Sequence, residues 1–255
     1  RSLPLAPTAD PALPPGSSGV LSTANPAGAT VAVIPIEGMI YGFTLTSLER
    51  RIDKAVAGGA SMIVLELDTP GGEVSSALEI SKYLKGLNVP VVAWVNNDAY
   101  SAGILIAAAC SQGIVMSPAS ATGDCAPIVP SQELAPTERA KALSPILEEF
   151  RDSAQANGYD YAVFHAMCVL GVEVYYIENP ESGERKLVNQ VDYKLMVHGR
   201  APGGGGIGAL FSGGSSAEKQ VGEARREVAT DADVGKWVPV TTLPSGANLP
   251  NGQVH

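Results

Sequence analysis

The stretch SMIVLELDTPGGEVSSALEI, residues 61–80, decides the fold. It begins with an apolar run that is typical of a buried strand, and after TPGG it continues with helical periodicity. A strand that passes through a glycine turn into a helix is the repeating unit of parallel sheets, because neighbouring parallel strands are joined by crossover helices. The stretch therefore predicts a β-α unit within an α/β domain.

The same alternation continues on both sides of this unit. Before it, TVAVIPIEG predicts a strand and TSLERRIDKAVAGG a helix, with Thr46 and Glu49 as a capping box and Leu48, Ile52 and Val56 on one face. After it, VPVVAWV and GIVMSP predict strands on either side of the apolar helix in ILIAAAC. We expect a mostly parallel sheet covered by helices on both faces.

The remaining chain predicts helices followed by a hairpin. A long helix is expected from about Thr137 to Asn157, in which Pro145 either kinks the helix or restarts it with Ser144 as the cap. YDYAVFHAMCVL predicts another helix. VEVYYIEN and ERKLVNQ, separated by PESG, predict a β-hairpin, and KWVPVTTL predicts a late strand.

Composition divides the chain into three parts. Residues 1–28 are rich in Pro, Ala, Ser and Gly and are expected to be a flexible tail. Residues 29–171 carry the strand-helix alternation of the main domain. Residues 172–255 are expected to extend the same domain with the hairpin and a flexible glycine-rich segment, GRAPGGGGIGALFSGGSS.

Charge and hydropathy limit the partners. The net charge of −9, without a lysine or arginine cluster, argues against nucleic acid and anionic membrane surfaces, since both require a basic surface. The longest apolar run, ILIAAAC, is far shorter than the roughly 20 residues of a membrane helix, so no span is expected. A chain that begins with arginine is expected to be a processed or trimmed form.

The spacing of the three cysteines indicates neither a disulfide framework nor a zinc site. Cys110, Cys125 and Cys168 are odd in number and lie in apolar segments, without the paired spacing of a zinc site. We interpret them as buried thiols. Neither a metal nor another cofactor is expected.

Two strand ends are candidates for chemistry, because ligands of parallel sheets gather beyond the carboxyl ends of strands. At the first, Gly71 and Gly72 allow backbone N–H groups to approach a ligand, although for the pair alone a plain strand-to-helix turn is the simpler interpretation. At the second, Ser101 precedes the apolar helix, where most serines serve as N-cap residues. Together they also fit a hydroxyl nucleophile beside an oxyanion hole.

Three motifs carry a family resemblance. DTPGGEV, NNDAYSAG followed by a helix of small residues, and ATGDCAPI occur in this order within residues 31–170. They resemble the ClpP/crotonase-fold serine peptidases, and in particular the membrane-associated branch of signal peptide peptidase A and NfeD-type proteins. The resemblance implies a spiral of β-β-α units with a mostly parallel sheet, to which the predicted C-terminal hairpin is an elaboration.

The resemblance also implies site residues. It assigns Ser101 as the nucleophile and Lys141, forty residues later, as the base of a Ser–Lys dyad. The oxyanion hole would be formed by the N–H groups of Gly72, Ala102 and, as a third donor, Gly71. The substrate-binding region would contain the residues Asp68, Tyr100, Thr122, Gly123 and Asp124, although Asp68 and Tyr100 fit a packing role equally well.

A lysine base has to be desolvated, because a free lysine, with a pKa of about 10.4, is almost fully protonated at neutral pH. Ala140, Ala142 and Leu143 are compatible with burial of Lys141, whereas an exposed helical lysine is the simpler interpretation. The three histidines offer no better base, since two border flexible or terminal segments and His165 lies in an apolar helix.

The resemblance implies a serine endopeptidase that cleaves extended apolar segments, such as signal-peptide remnants or hydrophobic tails of membrane proteins. A stomatin-like partner and a homo-oligomer are expected by analogy, as is an extracytoplasmic, membrane-associated location. Two alternatives remain: a non-catalytic peptide-binding scaffold of the same fold, and a crotonase-type acyl-CoA enzyme. The absence of a basic patch for the CoA phosphates disfavours the latter.

Overall fold

Strands and helices alternate from residue 30 to residue 168. A computed structural model describes residues 29–126, 135–199, 224–243, 249 and 253–254. The alternating elements are β1 (Thr30–Glu37), α1 (Gly42–Ala57), β2 (Ala60–Thr69), α2 (Val74–Lys85), β3 (Val91–Tyr100), α3 (Ala102–Ala108), β4 (Ile114–Met116), β5 (Ala121–Gly123), α4 (Pro136–Asn157) and α5 (Tyr161–Cys168). The predicted α/β class is confirmed.

These strands form one parallel sheet in the order β1-β2-β3-β4, and β5 pairs with the last residues of β3. The carboxyl ends of β2 and β3 are neighbours, since Thr69 pairs with Ala99. The chain leaves β2 into the glycine turn and leaves β3 into α3. The sheet topology thus places Gly71 and Gly72 next to Ser101.

The start of α1 differs from the prediction. The helix begins at Gly42, so Thr46 and Glu49 lie inside it and do not form a capping box. The first turn is instead closed by Thr44, whose hydroxyl accepts a hydrogen bond of 3.1 Å from the Tyr41 N–H. The prediction missed the first turn of the helix because Tyr41 and Phe43 are not residues typical of a helix N-cap.

The helices cover one face of the sheet. The side chains of Leu48 and Ile52 pack with Ile63, Leu65 and Leu67 in the main core, to which α2, α3, α4 and α5 also contribute. The prediction that helices cover both faces is wrong for the described residues. The opposite face consists of Val31, Val33, Pro35, Met62, Val64, Glu66, Val92, Trp94 and Val115. Val31, Val33 and Val115 are exposed there, whereas Val92 is buried.

The C-terminal part adds a second, antiparallel sheet. Its elements are β6 (Val174–Glu178), β7 (Arg185–Asn189), α6 (Gln190–His198), β8 (Val238–Pro239) and β9 (Gln253–Val254). The strands β6 and β7 form the predicted hairpin, and β8 and β9 pair with β6. The predicted late strand is therefore present but short. The tail at residues 1–28 and most of the glycine-rich segment lie outside the described residues.

Helix α6 was not predicted. Its N-cap is Asn189, whose side chain accepts hydrogen bonds from the N–H groups of Val191 and Asp192. Asp192 is buried, and its carboxylate accepts hydrogen bonds from the consecutive N–H groups of residues 227, 228 and 229. This contact fixes the chain that follows the glycine-rich segment against the second sheet.

Helix α4 is continuous through Pro145, so the prediction of a restart at Ser144 is wrong. After the proline, the helix is held to α2 by polar contacts: Glu149 accepts a hydrogen bond from the Ser81 hydroxyl and forms an ion pair of 2.6 Å with Lys85. Before the proline, the Lys141 carbonyl lacks its usual helical partner, because proline has no N–H. The two halves of α4 are therefore anchored to different degrees.

None of the described helices combines the length and the hydrophobicity needed to cross a membrane. All three cysteines are free and buried, as predicted.

Candidate active site

Ser101 lies at the sharp turn between β3 and α3. Its φ of 52° and ψ of −114° belong to a conformation that non-glycine residues rarely adopt. The turn is held by a hydrogen bond of 2.8 Å from the Ser101 N–H to the Gly123 carbonyl. Although Ser101 occupies the N-cap position, its hydroxyl makes no capping hydrogen bond. The interpretation of Ser101 as a capping residue is therefore not supported, and strained strand-to-helix turns of this kind are typical of exposed nucleophiles.

Gly71 packs directly against this serine. A Cβ atom added to Gly71 would lie 2.7 Å from Ser101 Cβ and 3.2 Å from Ser101 Oγ, and the φ of Gly71 is 107°. Both facts require glycine, because an L side chain would be strained and would collide with the hydroxyl. The Gly71 N–H donates to Thr69 Oγ1 over 3.1 Å. It is therefore not free to bind an oxyanion, in contrast to our expectation for a third donor.

Gly72 packs against the segment before α1. Its backbone forms a parallel bridge with Ile40, in which Ile40 N–H donates to the Gly71 carbonyl and Glu73 N–H donates to the Ile40 carbonyl. A Cβ atom on Gly72 would lie 2.2 Å from the Ile40 carbonyl oxygen. This contact explains why the second glycine is required independently of any chemistry.

We expect Gly72→Ala to lower the free energy of unfolding by at least about 2 kcal/mol, because backbone atoms of Ile40 have to move. The matched control is Gly42→Ala, where an added Cβ meets no atom within 4 Å. That variant should stay within about 1 kcal/mol of the wild type, since alanine favours the helix. Urea unfolding followed by circular dichroism measures both values. Equal stabilities for the two variants would contradict the contact.

Two backbone donors remain next to Ser101. In a parallel bridge, the N–H of Gly72 points away from Ile40, and Ala102 is the first residue of α3, whose N–H has no helical acceptor. Neither N–H donates a backbone hydrogen bond within the described chain. These are the donors that a tetrahedral oxyanion at Ser101 requires.

Ser101 opens into a cleft of about 510 Å³. Its lining residues are Met39, Tyr41, Pro70, Gly72, Glu73, Val74, Ala77, Tyr100, Ser101, Ala102, Leu105, Asp124, Cys125, Ala126 and Ile146. Most of these side chains are apolar, and Glu73 and Asp124 are the carboxylates. Within this lining there is neither a lysine nor a histidine.

The predicted substrate-binding residues fall into two groups. Tyr100 and Asp124 line the cleft. Asp68 is exposed outside it and accepts a hydrogen bond from Asn97, while Thr122 donates to the Ala99 carbonyl and lines a different groove behind β5. Gly123 is buried and supports Ser101 through its carbonyl.

Lys141 is exposed on α4 and does not line the cleft. Its neighbours on the buried side of the helix are Leu143, Ile146 and Leu147. Ile146, one turn and a half later, does reach the cleft. The structure therefore brings α4 to the site but does not bring the Lys141 amine to Ser101.

Two further titratable side chains, Cys125 in the cleft and His165 outside it, are unsuited to catalysis. A hydrogen bond with Cys168, together with burial, raises the pKa of the Cys125 thiol, which keeps it protonated and poorly nucleophilic. His165 is buried away from the cleft, and burial lowers its pKa.

Sequence reasoning missed three parts of the site. Met39 and Tyr41 form one wall of the cleft. The Thr69 hydroxyl connects the segment after β1 to the glycine turn, since it donates a hydrogen bond to the Gly38 carbonyl and accepts one from the Gly71 N–H. The threonine in DTPGG was a usable signal, because a buried hydroxyl next to two glycines has to bond to the backbone. No pattern indicated the wall before α1.

The fold and the site together define the class. A parallel sheet with a strained serine at one strand end and a glycine pair at the next has the ClpP-like serine protease fold. The chain belongs to the NfeD1b N-terminal domain family, whose profile matches residues 30–190.

Two curated relatives agree with this family. The chain is 35% identical over 142 residues to the membrane protein NfeD1b of Bacillus subtilis, which covers 56% of this chain and 32% of the relative. It is 35% identical over 102 residues to the membrane-bound protease PH1510 of Pyrococcus horikoshii, which covers 39% of this chain and 23% of the relative. The chain thus spans about a third or less of the length of these relatives.

Two solved structures are similar to the chain. Both are mutants of the 1510-N membrane-bound stomatin-specific protease. The first has a serine replaced by alanine and is 28% identical, with a TM-score of 0.50 and coverage of 55% of this chain and 70% of that one. The second has a lysine replaced by alanine and contains a substrate peptide; it is 27% identical, with a TM-score of 0.50 and coverage of 56% and 67%.

Proposed function

We propose that this chain is a serine endopeptidase in which Ser101 is the nucleophile and Lys141 the base. The observation that carries the proposal is the state of the Ser101 hydroxyl: it is not used as a helix cap, it opens into an apolar cleft, and the N–H groups of Gly72 and Ala102 lie beside it. A serine placed in this way can attack a carbonyl whose oxygen is stabilised as it becomes negative.

The chemistry follows the usual acyl-enzyme route. The neutral amine of Lys141 accepts the Ser101 proton as Oγ bonds to the scissile carbonyl carbon, and the oxyanion is held by Gly72 and Ala102. When the C–N bond breaks, the protonated lysine returns the proton to the leaving amine. Water, deprotonated by the same lysine, then attacks the ester and releases Ser101.

The spacing of the two residues supports their roles. The serine and the lysine replaced in the two mutants of the stomatin-specific protease are 41 positions apart, and Ser101 and Lys141 are 40 positions apart. Lys141 is exposed in the isolated chain, so the proposal includes a movement of the first half of α4. Pro145 lowers the free energy that this movement requires, because a proline has no N–H to form the helical hydrogen bond with the Lys141 carbonyl.

The chemistry of the cleft supports an apolar, extended substrate. Met39, Tyr41, Val74, Leu105 and Ile146 provide apolar walls. An extended peptide satisfies its backbone on a neighbouring strand while pockets select its side chains. We extend this to remnants of signal peptides and hydrophobic tails of membrane proteins, including a stomatin-like partner.

The setting of the full-length protein forms part of the same proposal. Both curated relatives are named as membrane proteins. We place the domain on the extracytoplasmic side of a membrane, in a homo-oligomer of a longer, membrane-associated protein.

A fluorophosphonate probe tests the proposal with the purified chain. We expect phosphonylation of Ser101, located by peptide mass spectrometry, because its Oγ displaces fluoride from phosphorus. The rate should rise with pH, since the base acts as a neutral amine. Failure to label Ser101 at any value from about pH 6 to about pH 10 would contradict a lysine-activated serine.

A non-catalytic peptide scaffold is the second candidate. It is favoured by the exposure of Lys141 and by a cleft whose ionisable lining groups include two carboxylates but neither lysine nor histidine. A scaffold would bind an unstructured apolar peptide in fluorescence anisotropy, and Ser101 would stay unlabelled by the probe. An enzyme would bind the same peptide, and its Ser101 would also be labelled by the probe.

A further inference from the structure

Two of the three cysteines are neighbours in the structure. Cys125 follows β5 and Cys168 is the last residue of α5; both are buried, with exposed fractions of 4% and 3%. The Cys125 N–H donates a hydrogen bond of 2.8 Å to the Met167 carbonyl, and the two thiols share a hydrogen bond. The two cysteines therefore meet through backbone and side chain, although they are far apart in the sequence.

The geometry of this pair fits a disulfide bond. The hydrogen bond to Met167 keeps the Cα atoms of Cys125 and Cys168 within about 7 Å, because one N–Cα bond and one peptide unit separate them from its two ends. Disulfides join residues whose Cα atoms are about 4.4 to 6.8 Å apart. Contact between the thiols shows in addition that the side chains point toward each other, which close backbones alone do not guarantee.

Cys110 does not belong to this pair. It lies just beyond α3 and is buried, and its thiol donates a hydrogen bond of 3.6 Å to the Ile106 carbonyl, one turn earlier. The odd number of cysteines in the chain thus divides into one pair and one single thiol. The spacing of the cysteines in the sequence did not indicate this division.

We propose that Cys125 and Cys168 form a disulfide bond when the domain folds in an oxidising environment. The oxidant is the disulfide of a small thiol or of an oxidoreductase. The thiolate of one cysteine attacks it and releases one thiolate, and the second cysteine attacks the mixed disulfide and releases the other. The two cysteines lose two protons and two electrons, and the oxidant is reduced to two thiols.

The reaction requires a compartment and a time at which the thiols are accessible. Disulfide oxidants act outside the cytoplasm, so formation of this bond in the cell rests on the extracytoplasmic location in the proposed function. Exchange takes place during folding, because thiols that are buried in the finished domain react poorly.

The structure tolerates the loss of the thiol protons. Cys125 Sγ lies 3.6 Å from the carbonyl oxygens of Ser101 and Gly123. These carbonyls also accept backbone hydrogen bonds, from the N–H groups of Leu105 and Ser101 respectively. Neither carbonyl loses its last partner when the weak S–H donor disappears, so oxidation leaves no buried polar group unpaired.

The bond would fasten both ends of the segment that carries α4 next to the nucleophile. Cys125 contacts the turn at Ser101, and α4 with Lys141 lies between Cys125 and Cys168 in the chain. The cross-link closes this loop in the unfolded chain as well, so it lowers the entropy gained on unfolding. It stabilises the floor of the cleft without holding α4 itself.

Oxidative refolding of the purified chain tests the proposal. The chain is unfolded in urea under reducing conditions, refolded with reduced and oxidised glutathione, and alkylated in urea. We expect Cys110 alone to be alkylated, and peptide mass spectrometry without reduction should show Cys125 joined to Cys168. The Tm of this product should exceed that of the reduced chain by at least about 5 °C.

Two variants separate the pair from the single thiol. Cys110→Ser is the matched control, which should form the same cross-link and show the same rise in Tm on oxidation. Cys168→Ala should leave Cys125 open to alkylation, and the same treatment should not change its Tm. If Cys168→Ala does not fold, the oxidised and reduced forms of Cys110→Ser give the comparison.

The outcomes of this test are independent of peptidase activity. Three free thiols after refolding would overturn the proposal, as would a cross-link that includes Cys110 or joins two chains. An unchanged Tm in the cross-linked chain would contradict the stabilisation of the loop. A chain that is labelled at Ser101 but forms no cross-link would leave the proposed function intact, and a cross-linked chain that is never labelled would contradict that function alone.

Discussion

Ser101→Ala is expected to reduce hydrolysis of an unstructured apolar peptide by at least about a thousandfold, to the background of the assay. The substitution removes the hydroxyl that opens into the cleft beside the N–H groups of Gly72 and Ala102. Peptide binding should be retained, because the apolar walls are unchanged. Turnover followed by mass spectrometry and binding followed by fluorescence anisotropy measure the two effects separately.

A matched serine controls for general effects. Ser75 is exposed near the start of α2 and does not line the cleft, so Ser75→Ala should keep turnover within about twofold of wild type. The stability of Ser101→Ala should not fall, since the Ser101 hydroxyl makes no capping hydrogen bond that the substitution would remove. Wild-type turnover in Ser101→Ala would eliminate the nucleophile.

Lys141→Ala is expected to lower kcat by about 10² to 10⁴ with little change in KM, because removal of a general base slows proton transfer and not binding. Lys141→Arg should be equally impaired, since a guanidinium keeps the charge but cannot act as a neutral base. Initial rates over a range of peptide concentrations give the two constants. This pattern separates a base from a cation that only attracts the substrate.

Arg139→Ala is the control for this pair. Arg139 is an exposed cation on the same half of α4, two residues before Lys141. It should retain wild-type kcat. Equal losses in Arg139→Ala and Lys141→Ala would mean that the helix, and not the amine, matters. Full activity in Lys141→Ala would favour a serine activated by another group.

The sequence predicted those features that depend on local pattern. The strand in SMIVLELD and the turn in TPGG are each specified by adjacent residues, and so is the helix after Ser101. Because parallel strands end at one edge, their order in the chain was enough to bring Gly71 and Gly72 to Ser101. The structure confirms that the glycine turn lies directly against Ser101, since a Cβ atom added to Gly71 would lie 2.7 Å from Ser101 Cβ.

Other features depend on contacts between distant segments and left no local pattern. Helical periodicity placed Val56 on the face of Leu48 and Ile52, but Val56 is exposed. The hydrophobic residues of β1 and β2 predict burial on both faces of the sheet, whereas Val31 and Val33 are exposed among the described residues. The orientation of Lys141 could not be predicted, because it depends on how α4 packs and on Pro145.

The most direct measurement is the distance between Lys141 Nζ and Ser101 Oγ in a crystal structure of the phosphonylated wild-type protein. The phosphonate oxygen occupies the position of the oxyanion, so the assembled site is captured with the N–H groups of Gly72 and Ala102 engaged. We predict that α4 has moved and that Lys141 Nζ lies about 3 Å from Ser101 Oγ. An adduct in which the Lys141 amine still faces solvent would contradict the dyad.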